Sequence, residues 1–316
     1  MTDGQRAQAS GDQSIASPDV ELVEVGPRDG LQNEATVVPT AIKLEYIRRA
    51  TRAGIRRVEV TSFVHPDRVP QMADAEELAL ALVPEAGVVH SALVLNRRGF
   101  ERANRCGIRE VNAVVVASDT FCQRNQGQTT SEAIAFVDDL SRRAASEAVR
   151  VSVTISAAFG CPFEGEVPVA RVAATAERLA GSGPAEIVIA DTIGVGVPTQ
   201  VIDVIGAVAA AAPGIPLRCH FHNTRNTGYA NAVAALSAGV HSFDGSTGGI
   251  GGCPFAPRAT GNVATEDLTY LFERMGHATG VILEQVCATG SWIAEQLGIT
   301  PPALLGRAGG FPTAKI

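Results

Sequence analysis

PLRCHFHNTRNTGYANAVAALSAGVHSFDGS, residues 216–246, decides how this chain folds. Its first seven residues alternate, with Leu217, Cys219 and Phe221 on one face and Arg218, His220 and His222 on the other, which predicts a strand. GYANAVAALSAG (228–239) follows as a helix of small residues, and VHSFDGS (240–246) alternates again. The stretch is therefore strand, helix, strand, the repeating unit of a parallel sheet. His220 and His222 share a face of their strand roughly 7 Å apart, a spacing that lets two imidazoles hold one divalent metal from the strand end.

The same unit recurs toward the N-terminus. VELVEV (20–25), RRVEVTSF (56–63), VVHSALVL (88–95), EVNAVVVAS (110–118), RVSVTISAAF (150–159) and AEIVIAD (185–191) read as strands. Helical patterns separate them at about 40–53, 73–83, 97–107, 131–148, 168–182 and 198–212. With the two strands of the opening stretch this makes eight units, spaced roughly 25–30 residues apart. Eight such units predict an α/β fold, a closed (β/α)8 TIM barrel, with a Gly-rich lid loop after strand eight and extra C-terminal helices. An open doubly wound sheet competes, but no G-x-G-x-x-G follows any strand to support it.

The 316 residues divide into an expected disordered tail (1–18), a single catalytic barrel domain with C-terminal helices (19–300) and a C-terminal tail (301–316). A net charge of -7 argues against nucleic acid as the main partner. No apolar run approaches the roughly 20 residues of a membrane helix. Residues 1–18 lack the apolar stretch of a secretory signal. The six cysteines form no C-x-x-C pair, which suits reduced thiols in a cytoplasmic protein.

In a parallel barrel, chemistry gathers at the C-terminal strand ends. There the chain offers Arg28, Asp29 and Gln32 after strand one, Glu59 within strand two, and Asp191 and Thr192 on strand six. His220 and His222 end strand seven and Asp244 ends strand eight. Asn262 closes the loop GSTGGIGGCPFAPRATGN (245–262). Strands eight and one are neighbours in a closed barrel, so Asp29, His220, His222 and Asn262 can form one metal shell. Mixed nitrogen and oxygen ligands suit Mg²⁺ or Mn²⁺, with Zn²⁺ or Co²⁺ also compatible. The alternatives are a hydrogen-bonded interior histidine pair, and turn or cap roles for Asp29 and Asn262. Glu59 needs a partner for its buried charge, and Arg28 is the nearest, either as a structural ion pair or to orient Arg28 toward a substrate. The six glycines of the 245–262 loop suit a mobile lid, and Cys253 within it suits a reactive thiol or proton donor.

VGPRDGLQNE (25–34), VEVTSFV (58–64), ADTIGVG (190–196), HFHNT (220–224) and GGIGGCPFAPRATGNVATED (248–267) together resemble the 3-hydroxy-3-methylglutaryl-CoA lyase family. The resemblance spans residues 20 to about 270. GGCPFAP is specific to the lyases, whereas PRDG and H-x-H are shared with aldolases, condensing acyltransferases and carboxyltransferase subunits on the same barrel. The resemblance implies a divalent metal held by Asp29, His220, His222 and Asn262. It also implies catalytic roles for Cys253, Arg28, Glu59, Asp191 and His220, and a retro-Claisen cleavage of an acyl-CoA to a ketoacid and acetyl-CoA. It further implies a homodimer serving leucine degradation or a similar branched-chain route. The chain departs from the family at Asn223, where an Asp is usual, and at Arg225 and Asn226. Asn223 and Arg225, with Arg28 and Gln32, are the substrate-binding candidates. A condensing enzyme on the same barrel, a paralogous lyase with another acyl group, and a barrel that binds without catalysing are the competing readings. Arg68, Arg124 and Arg258 are candidates for holding CoA.

Overall fold

The computed structural model describes residues 18–252 and 261–312. The expected eight strands are all present: β1 (Glu21–Glu24), β2 (Arg57–Ser62), β3 (Val89–Val94), β4 (Glu110–Val116), β5 (Arg150–Ser156), β6 (Glu186–Asp191), β7 (Leu217–Phe221) and β8 (Ser242–Gly245). Each pairs in parallel with the next, and β8 pairs with β1 from Glu21–Ser242 to Glu24–Gly245, so the barrel is closed. The open-sheet alternative is thereby excluded.

Helices α1 (Thr40–Arg52), α2 (Ala75–Ala81) and α3 (Arg97–Arg105) follow the first three strands, and α4 (Asp119–Gln126) and α5 (Thr130–Ser146) follow β4. Then come α6 (Val169–Ala180), α7 (Pro198–Ala211) and α8 (Gly228–Ser237), one after each of β5 to β7. α5 begins with a reciprocal capping box between Thr129 and Glu132. α4 has no counterpart in the sequence reading. Its DTFCQRNQ buries only Phe121 and Cys122, too few apolar positions to show a period, and it is defined instead by the Ser118 N-cap and by Gly127 in the left-handed conformation. Branched residues on the outer faces of the strands, such as Val58, Val111 and Ile187, are buried with the inner faces of the helices in one continuous core.

The interior of the barrel is less apolar. Arg57, Glu110 and Glu186 project inward from β2, β4 and β6 and form a buried ionic layer. Arg57 reaches Glu186 with two parallel bonds, Nη1 to Oε1 at 2.9 Å and Nη2 to Oε2 at 2.8 Å. Charges in a low-dielectric interior persist only when paired in this way.

Past the eighth unit, α9 (Thr265–Arg274) and α10 (Leu283–Leu297) are the extra C-terminal helices the sequence predicts. The segment read as a tail contains a further short helix, α11 (Leu305–Ala308), which the Asp267 carboxylate anchors by accepting the Leu304 and Leu305 N–H groups. A second apolar cluster joins Leu31, Val38, Tyr46, Met72 and Ile250 to Ile293 and Leu297 of α10, next to the barrel mouth. Among the described residues no helix is long and apolar enough to cross a membrane. The tail expected over residues 1–18 lies, except for Pro18, outside the described residues, and so do Cys253 and Arg258.

Candidate active site

The GPRDG stretch is not a simple turn but a single π-helical turn, Gly26–Gly30. The N–H groups of Arg28, Asp29 and Gly30 all converge on the Val25 carbonyl, at 3.1, 2.7 and 3.2 Å. Gly26 is required there, because the Tyr46 hydroxyl and a Glu24 oxygen occupy the space of a side chain. The tight turn brings Arg28 and Asp29 together at the mouth.

Across the mouth stand His220 of β7 and His222 just past its end. Their Nε2 atoms are 3.1 Å apart, and Asp29 Oδ2 lies 3.8 Å from that of His220 and 3.9 Å from that of His222. Asn262 arrives by backbone pairing. Residues 261–263 run antiparallel to the end of β7, through a His222–Asn262 bridge and the bonds Asn223 N–H to Gly261 O and Val263 N–H to Phe221 O. The Asn262 Nδ2 then donates to Asp29 Oδ2 at 2.9 Å. All four residues expected to form one shell are therefore in one place.

The donor set fits a divalent cation. One ion about 2.1 Å from each ligand atom is compatible with all three separations, 3.1, 3.8 and 3.9 Å. Asn262 Oδ1 is buried and has no partner among the described residues, a costly condition that a bound cation or solvent would relieve. Burial disfavours the Asp29 carboxylate, yet the positive charge of Arg28, with the neighbouring histidines and the bond from Asn262, outweighs it and holds its pKa well below the usual range. Burial and the neighbouring His220 push His222 down to about 4, so it presents a neutral ring. For His220 the burial penalty is overcome by Asp244 and Asp29, which raise its pKa.

Arg28 is buried and twice paired. Its Nε donates to Glu59 Oε1 and its Nη1 to Asp29 Oδ1, which leaves Nη2 uncommitted among the described residues. Glu59 Oε2 accepts a second bond from Asn112 Nδ2 at 3.0 Å. Glu59 is thus an orienting partner, and a shift in the β2–β3 register between Glu59 and Thr61 marks the bulge beside it.

Asp191 is used differently. Its two oxygens accept the N–H groups of Val195 and Gly196, both at 2.9 Å, and so close the ADTIGVG loop at the end of β6. Burial raises its pKa against those bonds. Arg225 is exposed, and its Nη1 donates to the carbonyls of Ile193 and Gly194 in that same loop. Asn223 accepts from Gly228 N–H and steadies the entry to α8. The side-chain bonds of Asn223 and Arg225 thus stay within loops and do not reach the metal-type cluster. Gln32 is half-buried and makes no side-chain bond among the described residues. Arg68 and Arg124 are exposed, the latter lying over the Phe163 ring at 4.2 Å.

Two sets of contacts at the mouth escaped the sequence reading, those of Glu24 and those of Asp244, a residue that reading places at the end of strand eight without a partner. Glu24, at the end of β1, accepts bonds from Gly26, Tyr46, Thr247 and Thr265, and so ties the first turn to the root of the Gly-rich loop. Asp244 accepts from His220 Nδ1 at 3.0 Å and from Arg218 Nη1 at 2.8 Å. The alternation Arg218–His220–His222 was the available signal, since it places Arg218 on the inward face directly below the histidines.

Known proteins resemble this chain over most of its length. Residues 19–293 match the HMGL-like family. The chain is 44% identical over 300 residues to the (R)-citramalyl-CoA lyase of Chloroflexus aurantiacus, covering 92% of this chain and 95% of that enzyme. It is 41% identical to the hydroxymethylglutaryl-CoA lyase of Bacillus subtilis, over 90% of this chain and 95% of that one. A solved HMG-CoA lyase from Acinetobacter baumannii, in complex with coenzyme A and 3-methylmalate, superposes with a TM-score of 0.89 at 34% identity. That match covers 93% of this chain and 98% of the other. This chain belongs to the HMGL-like family and is a carbon–carbon lyase of the hydroxymethylglutaryl-CoA lyase type.

Proposed function

We propose that the chain cleaves 3-hydroxy-3-methylglutaryl-CoA, or a close branched 3-hydroxyacyl-CoA, to a ketoacid and acetyl-CoA with a divalent cation, Mg²⁺ or Mn²⁺. The convergence of Asp29, His220 and His222, with one ligand atom each within 4.8 Å of the others, carries this reading. Asn262 Oδ1, buried and unpaired among the described residues, is the fourth ligand. A cation held there supplies Lewis acidity that lowers the pKa of a substrate hydroxyl.

The chain's own groups do the rest. The tertiary hydroxyl gives up its proton to the Asp29 carboxylate, which stands beside both histidines, the bond between the carbinol carbon and the thioester α-carbon breaks, and the electron pair passes to the thioester as an enolate. Arg28 Nη2, the uncommitted end of a guanidinium held by Glu59 and Asp29, faces that developing negative charge. Cys253 gives its thiol proton to the enolate carbon, releasing acetyl-CoA. This assignment rests on its position in the GGCPFAP motif. His220 has one lone pair, on Nε2, because its Nδ1 faces Asp244. As a ligand it cannot at the same moment be a base. Asp191 acts through the loop it closes.

A second reading has a specific observation behind it. The Chloroflexus relative is a citramalyl-CoA lyase, and citramalyl-CoA differs from hydroxymethylglutaryl-CoA by one methylene between carbinol and carboxylate. A pocket separates such homologues by about 10–200-fold. Incubating the protein with each thioester and Mn²⁺, while following acetyl-CoA, acetoacetate and pyruvate, decides between them. We expect acetoacetate from hydroxymethylglutaryl-CoA at the higher kcat/KM. A preference for citramalyl-CoA with pyruvate release establishes the second reading, and no cleavage of either removes both.

A further inference from the structure

The buried interior of the barrel connects directly to one histidine of the site. Arg218 is 2% exposed and Asp244 is 5% exposed, so neither charge is accessible to bulk solvent. Arg218 pairs below with Glu186 Oε2 at 3.0 Å and above with Asp244 Oδ1 at 2.8 Å. The other Asp244 oxygen, Oδ2, meets His220 Nδ1 at 3.0 Å. Glu186 is held in turn by Arg57.

For a neutral His220 ring, the donors and acceptors of this chain can be assigned in only one way. A guanidinium only donates, so Asp244 Oδ1 must accept from Arg218. The ionised carboxylate only accepts, so His220 Nδ1 must be the nitrogen that carries the proton. Its Nε2 then keeps its lone pair, aimed at Asp29 and His222. We propose that Asp244, fixed by Arg218, is a positioning residue that sets the His220 tautomer and so makes Nε2 available as a ligand. This rests on the metal reading above, and it assigns to the barrel's ionic interior a task beyond filling space. A carboxylate behind a ligating imidazole typically contributes 10–100-fold in metal affinity.

The same logic predicts what Asp244→Asn does. Arg218 remains a donor and draws the amide oxygen to itself. The amide NH₂ is left facing His220 Nδ1, which must become an acceptor. The ring proton moves to Nε2, where it points at Asp29 and His222 and blocks the ligand position. Asp244→Glu keeps the carboxylate and restores the original tautomer.

Long-range ¹H–¹⁵N spectra of metal-free, ¹⁵N-histidine-labelled protein, recorded at a pH high enough for neutral imidazole, read the tautomer directly. The His220 signals are assigned by their loss in His220→Gln. We expect the Nδ1–H form in the wild type and in Asp244→Glu, and the Nε2–H form in Asp244→Asn. Calorimetry is expected to show Mn²⁺ binding weakened about 10–100-fold in Asp244→Asn and recovered in Asp244→Glu. A wild-type His220 protonated on Nε2 overturns the proposal, and that holds even if the Asn variant does not fold. An Asn variant with unchanged tautomer and unchanged Mn²⁺ affinity overturns it as well. A wild type that carries the Nδ1–H form but binds no Mn²⁺ supports the positioning role and removes the metal reading instead.

Discussion

Glu59 receives two donors, Arg28 Nε and Asn112 Nδ2, on its two separate oxygens. Glu59→Gln has one acceptor for those two donors, so an NH₂ must face either Arg28 or Asn112. Arg28 loses its fixed direction in either case. Turnover is expected to fall about 10²–10³-fold, the range seen when one oriented electrostatic contact is removed. Mn²⁺ affinity should hold, because Glu59 touches none of the proposed ligands, and calorimetry beside steady-state kinetics separates the two effects. His222→Ala is expected to do the opposite, abolishing Mn²⁺ binding first. Cys253→Ala is expected to lower turnover by at least about a hundredfold, within the range of a lost general acid, with Mn²⁺ binding intact. A near-normal rate removes Cys253 from the chemistry.

At the level of elements, the root of the Gly-rich loop is clamped from three sides. Glu24 takes the Thr247 N–H and hydroxyl, Glu266 of α9 takes the Gly248 N–H, and α10 closes over them at Gly290. A methyl group at Gly290 would collide with Glu266 Oε1 and lie 3.1 Å from Gly248 N. Gly290→Ala is therefore expected to destabilise by about 1–3 kcal/mol, as overpacking does. Chemical unfolding checks this, and an unchanged midpoint would show that α10 can lift away freely. These contacts also mark the limit of what the sequence could reveal. Alternation and helical period show all eight strands and the inward histidines, because each is a local pattern of a few residues. GPRDG read only as a turn, since a π-turn with three N–H groups on the Val25 carbonyl has no periodic signature. α4 was invisible for the same reason. Glu24 and Glu266 act across 223 and 18 residues, and no spacing rule ties a strand-end acid to a loop that far away.

For the molecule as a whole, the ionic layer inside the barrel couples its stability to pH. Arg57 neutralises Glu186 and Glu110 together, all three being nearly fully buried. Burial alone would raise the pKa of Glu186, but Arg218 and Arg57 outweigh it and bring it below the ordinary glutamate value. A carboxyl whose pKa is lowered by folding stabilises the native state above its unfolded value, and that contribution is lost as pH falls through the folded one. Arg57→Leu leaves Glu110 without its Arg57 bond and Glu186 with only Arg218, so the loss at neutral pH is expected to be about 3–5 kcal/mol, the cost of breaking a buried pair. On acidification the two proteins converge. The wild type gives up the Glu186 contribution, while in the variant Glu186, with fewer cations beside it, takes up a proton and ceases to be a buried charge. Urea unfolding at pH 7 and again near the ordinary glutamate pKa of about 4.3 should therefore show a gap that narrows toward acid. A gap of equal size at both pH values would mean that the lost packing of the Arg57 side chain, not its charge, sets the cost.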